Sequence, residues 1–186
     1  MLYDILKYEL DRRKKILETS NVAILINDME ETATSQIKQI AKEVKSLKIV
    51  TSKVNRFIYL EEKLYSDYGI GVQVTNNKEK ALQSSEIIIN IDFDEDMLKE
   101  YCIKDNATII NIKKTIKKID NFNGVIINDY KIKYNEEMFK GIKKCSNFDK
   151  KVLYESLIYR RDNFYNIKKQ LNSDGIELTE LIRETN

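Results

Sequence analysis

Histidine, proline and tryptophan are absent from this 186-residue chain, cysteine occurs twice, and none of the five glycines falls in the first 68 residues. Without histidine there is no Ser-His-Asp or Cys-His nucleophile system. Any acid or base working near neutral pH has to be a perturbed carboxylate, lysine, cysteine or tyrosine. Cys102 and Cys145 form no CxxC pair and have no histidine to join them on zinc, so no metal is expected from them. Both read as buried packing residues in a reduced intracellular compartment. No stretch approaches the ~20 apolar residues of a membrane span. The opening MLYDILKYELDRRKKI is interrupted by charges throughout, unlike a signal peptide. The chain therefore reads as soluble and cytoplasmic. Lys+Arg of 32 against Asp+Glu of 30 leaves a net charge of +2, which gives no bulk attraction to nucleic acid or to an acidic membrane.

What is present is a strand-helix alternation. Leu2, Ile5, Leu6, Leu10, Ile16 and Leu17 recur at helical spacing over residues 1–17. The run from Asn21 to Asn27 is continuously apolar between its ends, as a parallel strand covered on both faces requires. A helix is predicted from about Thr34 to Leu47, a strand from Lys48 to Ser52, and a helix from Asn55 to Tyr68 carrying Phe57, Leu60, Leu64 and Tyr65. Gly69 stands where a helix C-cap belongs. The rhythm continues with strands at Gly71–Thr75, Glu86–Ile91, Ala107–Ile112 and Gly124–Asn128, and helices at Lys78–Gln83 and after Asp94. Helices are predicted near 136–143, from Phe148 to Leu171, and from Ile176 to Arg183. Such alternation implies an α/β fold, a doubly wound and mostly parallel sheet of about six strands in the order 3-2-1-4-5-6, with flanking N- and C-terminal helices. One domain is expected over 1–186: an N-terminal helix to residue 20, a core over 21–134, and C-terminal helices over 135–186.

In such a sheet the ligand crevice lies beyond the carboxyl ends of strands one and four. The loop after strand one holds Asp28, Glu30 and Glu31, and the loop after strand four holds Asp92, Asp94, Glu95 and Asp96. These carboxylates would repel a phosphate. A helix N-terminus offers an anion only ~0.3–1 kcal/mol at an exposed site, and one like charge at ~4 Å cancels that. The same acids also suit simple helix capping, or a crevice for a cation or a basic surface. Asp28, Asp92 and Asp94 match no metal-binding motif. After strand two stand Thr51, Ser52, Lys53 and Arg56, which would suit a 2′-phosphate, so NADP is the expected cofactor if any dinucleotide binds. Lys113, Lys114, Lys117 and Lys118 would form a basic stripe. Lys143, Lys144, Lys150, Lys151, Arg160 and Arg161 make the C-terminal half basic, with Tyr154, Tyr159 and Tyr165 nearby. These read as solvated and core faces, and nucleic acid is not an expected partner.

The strings SKVNRFIYLEEKLYSDYGIGV, EKALQSSEIIINIDF and NATIINI resemble segments of the NAD(P)-binding domain of the shikimate/quinate dehydrogenase and glutamyl-tRNA reductase group. The tail KVLYESLIYRRDNFYNIKKQLNSDGIEL is similar to the closing helices of acyl-acyl-carrier-protein reductases. The resemblance implies a Rossmann domain whose first turn carries G-x-G-x-x-G. Here the three glycine positions fall on Asn27, Met29 and Thr32, or one residue later on Asp28, Glu30 and Ala33. Either Met29 or Glu30 then projects where a pyrophosphate would sit, and no counterpart of the substrate domain that precedes the cofactor domain in those dehydrogenases is expected within these residues. The resemblance would place Lys53 and Arg56 on the 2′-phosphate and Asn90 or Asp92 on the nicotinamide side. Two functions are expected from this. One is a degenerate, non-catalytic Rossmann-like module for interaction or ligand sensing, pairing with itself or a protein partner through its flanking helices. The other is an NADP-binding oxidoreductase or cofactor subunit completed by another chain.

Overall fold

The computed structural model describes residues 2–133, Val152, Tyr154 and 173–184. Its seven-stranded sheet has the order β3-β2-β1-β4-β5-β6-β7. The strands are β1 (Asn21–Leu25), β2 (Ser46–Val50), β3 (Val72–Thr75), β4 (Ile87–Asn90), β5 (Thr108–Asn111), β6 (Val125–Lys133) and β7 (Glu177–Glu184). The helices are α1 (Leu2–Arg12), α2 (Glu31–Ala41), α3 (Val54–Tyr68), α4 (Lys78–Ser84) and α5 (Glu95–Lys99). Pairings from β3 through β6 are all parallel. The expected order 3-2-1-4-5-6 is therefore present, extended by one strand. β4 and β5 are buried along their whole length, as the apolar runs IIIN and TIIN demand of strands covered on both faces. Ala23, Leu25, Ile88, Ile109 and Ile126 pack with Phe93 in the core.

Several boundaries move. The expected last helix over Ile176–Arg183 is the strand β7: sheet pairing overrides the helix preference of Glu, Leu and Arg there. β6 runs on past Asn128 to Lys133. α2 stops at Ala41, and β2 begins at Ser46, because parallel register sets Ser46 opposite Asn21. α1 ends at Arg12, and Lys14 turns left-handed at φ 55°, so Ile16 is 61% exposed instead of on an apolar face. Phe57, Leu60 and Leu64 are buried as expected, but Tyr65 is 70% exposed, since the residue after Leu64 turns off the inward face. Gly69 ends α3 at φ 66° and donates its N–H to the Tyr65 carbonyl. Cys102 is exposed, not buried, in the connection after α5 where Tyr101 and Ile103 do the packing. Cys145 and the helices expected at 136–143 and 148–171 lie outside the described residues, apart from helical Val152 and Tyr154.

The chain divides into two compact units, one of Met1–Asp129 with Leu181–Asn186 and one of Tyr130–Glu180. In the second, Lys131 pairs with Glu180 at 2.7 Å and the Tyr154 hydroxyl donates to Asp174 at 2.8 Å. In the first, a buried Glu9 of α1 joins Arg12 and Arg13 to Arg183 of β7. No helix among the described residues is long and apolar enough to cross a membrane.

Gly124, immediately before β6, is under a steric constraint. A Cβ there would lie 2.1 Å from the Phe122 ring and 2.2 Å from the Ala107 carbonyl oxygen, which already accepts from Val125 N–H. Gly124→Ala is expected to destabilise the protein by about 1–3 kcal/mol through overpacking. Urea unfolding measures this. A loss below about 0.5 kcal/mol, the range of neutral surface changes, would mean that the strand start yields freely.

Candidate functional site at the carboxyl ends of the strands

The strand order reverses between β1 and β4, and the carboxyl ends of these strands form the crevice where open α/β sheets bind ligands. Backbone bonding carries the sheet one residue past the strand ends: Ile26 N–H donates to Val50 O, and Ile91 N–H to Leu25 O. Asn27 comes next. Its side-chain oxygen accepts from Ser52 N–H at 2.8 Å and from the Thr51 hydroxyl at 3.4 Å, tying the end of β1 to that of β2. Its own N–H points across to Asp92, both of whose carboxylate oxygens lie 2.9 Å away. Asp28 N–H donates to the same carboxylate at 2.8 Å. Thus Asn27 and Asp92, two of the expected cofactor-site residues, are brought together, but they bond to each other.

The remaining expected residues are arranged around this contact. Met29 is 39% exposed, Ala33 is buried, and Thr32 lies in the first turn of α2. Lys53 pairs with Asp28 at 2.7 Å, and this bond, with smaller contributions from Arg56 and Lys113, holds the Asp28 carboxyl below its usual range. Arg56 is exposed on α3. Asn90 is fully buried. Its side chain donates to Phe93 O and Asn111 Oδ1, both at 2.9 Å, and accepts from Phe93 N–H.

The acidic edge is not a bare wall of negative charge, which corrects the sequence expectation. Glu30 meets Lys113 at 2.5 Å, Asp94 meets Lys114 at 3.9 Å, and Glu95 meets Lys99 at 2.6 Å, in addition to the Asp28–Lys53 pair. Lys99 also lowers the Glu95 carboxyl, with help from the Lys117 N–H. Lys113 and Lys114 therefore do not form a helical basic stripe. They sit in an irregular segment pinned by buried Ile116 and Ile119. Capping is divided as well. Asp94 caps α5 by accepting from Met97 N–H at 3.0 Å, whereas Glu30 precedes α2 without a side-chain cap.

Sequence reasoning missed the chain of amides on the other side of the crevice. Asn90 donates to Asn111, Asn111 donates to Asn128 at 2.8 Å, and Asn128 both accepts from Ile116 N–H and donates to Ile116 O. The signal was in plain view. Four apolar runs of the sequence end in an asparagine, ILIN (24–27), IIIN (87–90), TIIN (108–111) and VIIN (125–128), which places Asn90 and Asn111 at the ends of β4 and β5 and Asn128 inside β6. A side-chain amide both donates and accepts, so successive asparagines at parallel strand ends link in series. Among the described residues no group of His, Cys, Asp or Glu is placed to hold a metal ion.

No protein-family model matches the chain, and no curated protein sequence does. Several reductases are among the solved structures similar to it. An imine reductase from Pseudomonas sp. is 14% identical with a TM-score of 0.37, over 50% of this chain and 32% of that one. The Delta(1)-pyrroline-2-carboxylate reductase of Thermococcus litoralis, solved with NADH and L-proline, is 13% identical with a TM-score of 0.36, over 51% and 30%. Glutamyl-tRNA reductase from Methanopyrus kandleri is 13% identical with a TM-score of 0.42, over 64% and 33%. The chain spans about a third of the length of these proteins. The Rossmann-like α/β architecture rests on the strand order and the parallel pairings described above.

Proposed function

We propose that this chain is a Rossmann-like module without nicotinamide-dependent turnover of its own, used for interaction or for sensing a ligand. The observation that supports it is the linked series Asn90–Asn111–Asn128. Catalysis in such a crevice needs polar groups aimed at the reacting atoms of a bound cofactor and substrate. At the ends of β4 and β5 and within β6 the side-chain amides bond to one another and to the backbone of Phe93 and Ile116. They brace the sheet. Met29 and the Lys53–Asp28 pair, standing where a dinucleotide would approach, support the same reading.

An interaction role would draw on α3. α1 buries Leu2, Ile5, Leu6 and Leu10 within its own unit, whereas α3 leaves Ile58, Tyr59, Tyr65 and Tyr68 exposed. Tyrosine-rich faces of this kind are favoured at protein interfaces.

A thermal-unfolding titration with NADPH and NADH, run beside a broad reductase screen, tests the proposal. The expected result is no shift and no turnover. A bound cofactor at 100 times its Kd would add ~2.7 kcal/mol, or roughly 5–10 °C for a chain of this size. A shift with NADPH alone would favour the NADP-binding reading through Lys53 and Arg56, and robust turnover would overturn the proposal.

A further inference from the structure

We infer that Asp92 is a resident anion that determines what the crevice rejects: it occupies the backbone amides after β1 and keeps phosphate-bearing ligands off them. The inference rests on the crevice having the Rossmann position but not on the absence of turnover. In nucleotide-binding versions of this fold, the first turn presents its N–H groups to a phosphate. In this chain the N–H groups of Asn27 and Asp28 converge on one carboxylate, at 2.8–2.9 Å, the length of charge-assisted bonds.

The carboxylate comes from a well-fixed part of the sheet. Ile91 N–H is bonded to Leu25 O, which locks the residue before Asp92 onto β1. Phe93, the residue after it, is buried and held through both its N–H and its C=O by Asn90. The next residue, Asp94, caps α5. Asp92 is thus delivered to the turn by the rigid end of β4, and half-buried beside it. Two nearby lysines have other partners: Lys53 pairs with Asp28, and Lys113 with Glu30. A phosphate entering here meets amides already filled and a fixed negative charge at contact distance.

The same carboxylate lets the turn do without glycine. A bound phosphate needs the backbone bare, because the ligand approaches from outside. An anion supplied by the neighbouring strand bonds the same N–H groups from within, and side chains such as Met29 then project outward without a clash.

The test is a calorimetric titration of the full chain with inorganic pyrophosphate, for the native protein, Asp92→Ala and Asp92→Asn. Asp92→Ala vacates the amides and removes the charge, while Asp92→Asn keeps an acceptor and removes only the charge. Both are expected to bind pyrophosphate at least roughly tenfold more tightly than the native chain, with the alanine gaining more. The gain should shrink as salt rises and screens the difference. Circular dichroism and the thermal midpoint establish that each variant is folded, and if the alanine variant is not, the asparagine variant decides. Equal affinity in native and variant chains, or no binding by any folded variant, would overturn the inference. Pyrophosphate has no redox chemistry, so the outcome stands apart from whether the native chain turns over a nicotinamide.

Discussion

Replacing Glu9 by Gln is expected to lower the unfolding free energy by about 3–5 kcal/mol, the cost of breaking a buried ion pair from one side. Glu9 is 2% exposed, and its oxygens take four N–H bonds. Arg12 donates twice, at 2.8 and 3.0 Å, Arg13 once at 2.8 Å, and Arg183 once at 3.0 Å. The amide has one acceptor oxygen where the carboxylate has two, and it leaves three guanidinium groups crowded without their shared counter-charge. Arg12 is the most exposed of the three and regains water most easily, which places the effect toward the lower end. The same cluster fixes a pH dependence. Burial alone would push the Glu9 carboxyl up, but hydrogen bonds from Arg12, Arg13 and Arg183 outweigh it and bring the group to about 2, from 4.5. A carboxyl lowered on folding stabilises fully above its unfolded value, and the contribution is lost as the pH falls from about 4.5 to about 2. The amount is of order 3 kcal/mol. Urea unfolding at pH 7, 4 and 2 measures it. The native chain should lose stability across that window by more than Glu9→Gln does, and parallel curves would sink the assignment.

Asn90→Ala comes second, at about 3 kcal/mol. Asn90 is fully buried, and truncation orphans Phe93 N–H, Phe93 C=O and the Asn111 oxygen together. Each buried group left unpaired costs about 1–3 kcal/mol, and partial relaxation keeps the sum below the simple total. Asn128→Ala, at a half-buried position, should cost less. A double-mutant cycle between Asn90 and Asn111 is expected to give a coupling of about 0.5–3 kcal/mol, as linked residues do. Independent, additive losses would mean that the series does not act as a unit.

The sheet was legible because apolar runs of four or five residues alternate with helical spacing, and such runs can be satisfied only inside a parallel sheet. β7 was not legible. Leu178, Leu181 and Ile182 fit a helical face, and only pairing beside β6 makes the segment extended. The crevice was legible in its position but not in its charge balance. Glu30 finds Lys113 across 83 residues and Asp28 finds Lys53 across 25, distances over which spacing carries no information. Asp92 was singled out by location, yet its partners are backbone N–H groups, which a sequence lists at every residue and so marks at none.

The Glu9–Arg183 contact spans 174 residues, and that span sets an order of events during synthesis. α1 is made 174 residues before Arg183, and until Arg183 emerges its buried carboxylate lacks one of its three arginines. Closing so long a loop costs about 2 kcal/mol more chain entropy than closing the Asp28–Lys53 loop, because the cost grows with the logarithm of length. Arg183 therefore docks late, onto a sheet already assembled from nearer neighbours. Until it does, the nascent chain holds Glu9 with Arg12 and Arg13 alone.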